Sequence, residues 1–124
     1  AIVDRALQGA QWEGLPKIRL QLSAAMLYVY LSKSERAMTL SVEALEGLKL
    51  VQSGEKYMAT ALYTHGICKF RAGDLTAAEE LFSHSLQQAM DSNGVASREV
   101  GLAEYGLGLV ANHFTVKRFD EALE

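Results

Sequence analysis

A single proline, Pro16, stands in 124 residues, where average usage of about 5% would give about six. Proline lacks a backbone N–H and clashes inside helices, so a chain almost free of it can be helical nearly throughout. The apolar pattern agrees. In SERAMTLSVEALEGLKLVQ, Ala37, Leu40, Ala44, Leu48 and Val51 recur at steps of 3, 4, 4 and 3. In LTAAEELFSHSLQQAM, the corresponding set is Leu75, Ala78, Phe82, Leu86 and Ala89. Such steps keep one stripe on one helix face. No stretch alternates as a half-buried strand would, and no Asn-Gly pair joins two β-branched runs. Asn93-Gly94 follows a helical stripe instead, which predicts a helix end and reversal there.

The breaks between stripes divide the chain into seven helical pieces. Gly14-Leu15-Pro16 separates a first short helix, about residues 2–12, from a second, about 17–32. Trp12 is placed to staple the first onto the second. Ser32-Lys33-Ser34-Glu35 fits a capping box. Ser53-Gly54 divides the next pair, and Ala72-Gly73-Asp74 reads as a tight reversal with Asp74 as N-cap. Residues 91–97 form a longer loop, and Lys117-Arg118 a last short turn. Short and longer connections alternate, as in a string of helical hairpins.

Composition narrows the function classes. Twelve Lys+Arg against 15 Asp+Glu leave a formal charge of −3, which argues against a nucleic-acid surface needing clustered cations. With 49% apolar and 22% charged residues, one folded core is expected rather than disorder. One Cys permits neither an internal disulfide nor a thiolate-rich metal site, so a cytoplasmic or otherwise intracellular, reducing setting is expected. No uninterrupted apolar run is long enough to span a membrane, and Asp4 and Arg5 interrupt any signal-peptide pattern at the start.

Self-similarity is the most informative feature. Around Gly73-Asp74, Gly66 precedes Ala78 by 12 residues, and Phe82 and Ser85 follow at steps of 4 and 3. The same spacing around Ser32-Lys33 gives Ala25, Ala37, Ser41 and Ala44; around Lys117-Arg118 it gives Val110 and Ala122. Ala37, Ala78 and Ala122 are 41 and 44 residues apart. Small residues at these places let two antiparallel helices approach closely, and Phe82 fills the space one turn on.

This set resembles the tetratricopeptide repeat. Residues 59–89 carry the best match, through Leu62, Gly66, Phe70, Gly73-Asp74, Ala78, Phe82 and Ser85. Pro16 also lies where that family often places a proline before a hairpin. The spacing exceeds the family's usual 34 residues, as in the longer repeats of bacterial MalT-like regulators and of animal polarity and spindle adaptors. Ser41 departs from the bulky residue preferred there. Val110 departs from the small one, with Gly106 and Gly108 nearby as substitutes.

The resemblance implies an all-α chain of antiparallel hairpins stacked as a right-handed superhelix, an α-solenoid segment. Residues 1–124 would be one domain: a trailing helix at 2–12 (with Leu7 and Ala10), repeats at 17–51 and 55–91, and a truncated repeat at 97–124. No polar cap is visible at either end, so a piece of a longer repeat protein, or self-association through uncapped ends, is expected.

Candidate chemistry is sparse. His65, His84 and His113 lie on different helices without the Cys or carboxylate neighbours of a metal site, so helix packing or solvent exposure is their ordinary role. Cys68 has His65 one turn away but no orienting acid, and reads as a buried thiol. Glu79-Glu80 and Asp120-Glu121 are adjacent pairs pointing to different faces. Gly106-Leu107-Gly108 follows no strand and is not a phosphate loop. No enzyme, cofactor or metal is expected.

What remains is a surface. In stacked hairpins the first helices line the concave side. There the sequence would project Arg19, Leu22, Ser23, Met26 and Tyr30; Thr60, Tyr63, Thr64, Ile67 and Arg71; and Glu104, Leu107, Ala111 and His113. Tyr, Met and Arg are residue types that dominate binding hot spots. The expected function is therefore a non-catalytic module holding another protein or peptide in this groove. The Lys and Asn by which some family members clamp a chaperone-tail carboxylate are replaced here by Leu22, Ser23 and Met26. Two alternatives are a ligand- or peptide-sensing domain of a MalT-like transcriptional regulator, and a self-associating structural solenoid.

Overall fold

A computed structural model of the chain describes residues 14–51 and 54–123. Among these residues there are five α-helices and no strand: α1 Leu15–Tyr30, α2 Ser34–Lys49, α3 Glu55–Arg71, α4 Leu75–Ser92 and α5 Arg98–Leu123. The helix and the Trp12 staple expected within residues 2–12 lie outside the described residues. Helix α1 begins earlier than expected, at Leu15. Pro16 sits in its first turn, where a missing N–H leaves no intrahelical bond unmade.

The two tight turns have the same construction. After α1, the Lys33 N–H donates to Tyr28 C=O (2.8 Å) and the Ser32 N–H to Val29 C=O (3.1 Å). After α3, the Asp74 N–H donates to Lys69 C=O (3.0 Å) and the Gly73 N–H to Phe70 C=O (3.1 Å). These paired bonds satisfy the last helical carbonyls and require one left-handed residue. Ser32 takes it at φ 60°, and Gly73 at φ 88°. The capping box expected at Ser32–Glu35 is therefore not formed: Ser32 is committed to ending α1, and the N-cap of α2 is Lys33, without a side-chain bond. Asp74 does cap α4, its Oδ1 accepting from the Ala77 N–H at 3.2 Å. Asn93 ends α4 and Gly94 turns the chain at φ 98°, while the Asn93 amide donates to Lys56 C=O and ties the loop to α3.

Consecutive helices pack together, and α3 also touches α1 and α5. The backbones of α2 and α4 do not approach each other. The odd helices thus lie side by side, with α2 and α4 each filling behind them. The main core joins Ala25, Tyr28, Val29, Ala37 and Leu40 to Tyr63, Ile67, Cys68, Ala78, Phe82 and Val110.

At its centre Phe82, on α4, is fully buried between two glycines. A Cβ on Gly66 of α3 would fall 2.6 Å from the ring, and one on Gly106 of α5 2.5 Å from it. Both are closer than a methyl group can come. The small residue at the α4–α5 crossing is therefore Gly106; Val110 packs one turn further on, inside the core. Ser85 closes the other end of the hairpin by donating to Ala59 C=O at 2.7 Å, fully buried. At the place equivalent to Phe82 in the first hairpin, Ser41 leaves room that α3 fills with Cys68, whose thiol lies within hydrogen-bond reach of the Ser41 hydroxyl.

Helix α5 does not break at Lys117-Arg118 but runs through it for 26 residues, about 39 Å. The last short turn expected there is absent. From Ala111 onward every described residue except half-buried Phe114 is exposed, so no packing partner bends the chain back. None of the described helices is long and apolar enough to cross a membrane.

Glycine in a helix ordinarily costs about 1 kcal/mol against alanine. Gly106→Ala should nevertheless destabilise the protein by about 1–3 kcal/mol through the clash with Phe82. Gly108→Ala, where nothing lies within 4 Å of the added carbon, should be neutral or stabilising by up to about 1 kcal/mol. Urea unfolding of the two variants checks this, and a stabilised Gly106→Ala would show that the ring is not held there.

Candidate functional site

The facing flanks of α1, α3 and α5 enclose a depression of about 400 Å³ lined by Met26, Val29 and Tyr30, then Tyr63, Ile67, Phe70 and Arg71, then Tyr105 and Leu109. Its floor is core: Val29, Tyr63 and Ile67 are buried, and the Tyr63 ring leans on Phe82 with centroids 5.7 Å apart. Its rim is open. Tyr30 is 76% and Tyr105 59% exposed, so two aromatic rings stand together above that floor. Arg71 is exposed in the last turn of α3, where the helix dipole favours a cation.

Tyr30 and Tyr105 are near enough to act on the Tyr63 hydroxyl. Burial pushes the Tyr63 hydroxyl above its usual range, Tyr105 and Tyr30 push it further in the same direction, and Arg98 opposes them. The phenol that sits deepest is thus held firmly neutral and available as a hydrogen-bond donor.

Of the residues expected on this face, Met26, Tyr30, Tyr63, Ile67 and Arg71 come together here. The others go elsewhere. Leu22 is buried in a separate cluster with Ile18 and Leu48. Thr64 is fully buried, its hydroxyl donating to Thr60 C=O at 2.8 Å. Arg19 lies over the Tyr57 ring at 5.7 Å. Ser23 is exposed and Thr60 half-buried, neither in the depression.

On α5 the expected face is rotated. Glu104 and Ala111 are exposed outside the depression, Leu107 packs against the main core, and exposed His113 meets Phe70 edge-on at 6.2 Å. The cause is Gly106. Seating it on Phe82 fixes the rotation of α5, and the flank turned back toward α3 then carries Tyr105 and Leu109. Val29, Phe70, Tyr105 and Leu109 were missed by sequence reasoning. The glycine beside Tyr105 was the available signal for that rotation.

The other chemical candidates are scattered. Cys68 is fully buried, and burial raises its thiol above the usual range, with Ser41 opposing more weakly. It is a poor nucleophile in that state. His65 borders a broad depression of about 800 Å³ on the outer side of α3 and α4, with Lys69, Glu79, Glu80 and His84. Its Nδ1 is buried without a hydrogen-bond partner. Among the described residues no group of three or more His, Cys, Asp or Glu is placed to hold a metal ion. No family model matches the chain, and no curated protein or solved structure matches it either.

Burial, and then the charge of Lys69, lowers the His65 pKa from 6.5. The folded state resists protonating this ring, so the unfolded chain takes up the proton first as pH falls. The contribution is absent above about pH 6.5 and becomes destabilising as pH drops through that value. Urea midpoints should therefore fall between about pH 7 and 5, and His65→Gln should flatten that dependence. Equal slopes in His65→Gln and the parent would exclude His65 as the source.

Proposed function

We propose that this chain is a non-catalytic protein-interaction module of the tetratricopeptide kind, holding a segment of another protein across α1, α3 and α5. The observation that carries the reading is the exposed aromatic rim over a buried apolar floor. Tyr30 and Tyr105 offer large rigid surfaces at little cost in side-chain entropy, and water leaves an apolar floor readily. Two like-built turns 41 residues apart, at Ser32 and Gly73, support the repeat reading. So does the side-by-side placement of the odd helices, since stacking of that kind creates a shared face.

Selection of peptides from a random displayed library on the folded chain tests it. Selected peptides should lose about tenfold or more in affinity when Tyr105→Ala is introduced, as hot-spot truncations do. They should be indifferent to Glu79→Ala on the outer side. Peptides that ignore Tyr105 and depend on the outer face would overturn the assignment.

One observation favours a second reading, self-association. Val116, Phe119 and Leu123 are 52%, 66% and 73% exposed on one side of α5, at steps that make a stripe. Under this reading sedimentation of the parent chain is concentration-dependent, and the double substitution V116E/F119E abolishes the dependence. A parent chain that stays monomeric throughout removes it. A sensor domain of a MalT-like regulator, with ligand entering the same groove, would instead be stabilised thermally by a small metabolite.

A further inference from the structure

Among the described residues, the polar groups that line the groove are three phenols and one guanidinium, with no carboxylate or amide side chain beside them. All four can donate hydrogen bonds, and the guanidinium only donates. Arg71 has no carboxylate partner among the described residues. This donor-rich, cationic spot lies on a chain of formal charge −3. Charge complementarity therefore favours an anionic group beside Arg71, where the cation outweighs the opposing dipole at the end of α3.

Size limits the occupant further. About 400 Å³ is roughly the volume of one turn of a helix about 10 Å across, side chains included. The depression therefore seats an anchor side chain rather than a whole helix. Met26, Ile67 and Leu109 supply the apolar contact for such an anchor.

Resting on the groove reading above, we infer that the partner segment presents an anionic side chain to Arg71 beside a large apolar or aromatic one seated between Met26, Ile67 and Leu109. The guanidinium grips the oxyanion with paired N–H groups, and the rim phenols complete its hydrogen bonding. A carboxylate and a phosphate share this chemistry.

Three probes titrated into the isotope-labelled chain, followed by amide chemical shifts, decide the matter: 3-phenylpropanoate, 3-phenylpropanamide and phenyl phosphate. The propanoate should shift amides around Tyr63, Arg71 and Tyr105, with Kd about tenfold below that of the amide. Arg71→Gln should erase that preference, bringing the propanoate to the affinity of the amide. Phenyl phosphate ranks the two anions: tighter binding than the propanoate assigns a phosphorylated side chain, weaker binding an Asp or Glu. Equal binding of amide and both anions in the groove overturns the anionic partner but leaves the groove reading standing. Shifts confined to the outer face beside His65 overturn the groove itself. No shift from any probe at about 10 mM overturns both.

Discussion

The aromatic ring of Phe82 is the piece on which the arrangement depends. It projects from α4 into a slot whose two walls are bare backbone, at Gly66 on one side and Gly106 on the other. A phenylalanine buried completely is worth several kcal/mol against alanine, and here the same ring closes the α3–α4 hairpin and docks α5. Neither glycine could gain even a methyl group without moving the ring or the helices. The close approach of α3 and α5 to α4 thus follows from one large residue matched with two absent side chains.

That seat determines the candidate site at one remove. Helix α5 contains Gly101, Gly106 and Gly108, and only Gly106 meets a neighbour. Its contact sets which side of a long helix faces the core and hence that Tyr105 and Leu109 complete the groove. Tyr63 links the two directly, since its ring packs on Phe82 and the same residue lines the depression. Core and surface are one continuous stack at this point.

The all-helical class, the tight turn at Gly73-Asp74, the helix end at Asn93-Gly94 and a stripe whose Ala78, Phe82 and Ala89 are buried while Leu75 and Leu86 are half-buried were legible in the sequence because each depends on local spacing or local backbone freedom. Ser32 was misread for the same reason: its side chain suited a cap, and only the geometry of the preceding helix demands a left-handed residue there. The break expected at Lys117-Arg118 came from extending a spacing rule to a place where no second helix packs. On α1 and α3 the groove residues Met26, Tyr30, Tyr63, Ile67 and Arg71 followed from helical period. On α5 the period alone left the rotation undetermined, and Glu104, Leu107 and Ala111 were placed on a face that Tyr105 and Leu109 occupy. Which small residue a distant ring selects is a long-range fact, invisible to a window of one helix.

The neighbouring positions of Gly106 and Tyr105 have a thermodynamic consequence. One faces inward to the ring and the other outward to the rim, so docking of α5 and competence of the groove are the same equilibrium seen from two sides. Any fraction of molecules in which α5 lifts from its seat lacks a groove wall, and apparent affinity for an occupant falls in proportion. By reciprocity, an occupant of the kind proposed, gripping Tyr105, would hold α5 down and tighten the interior.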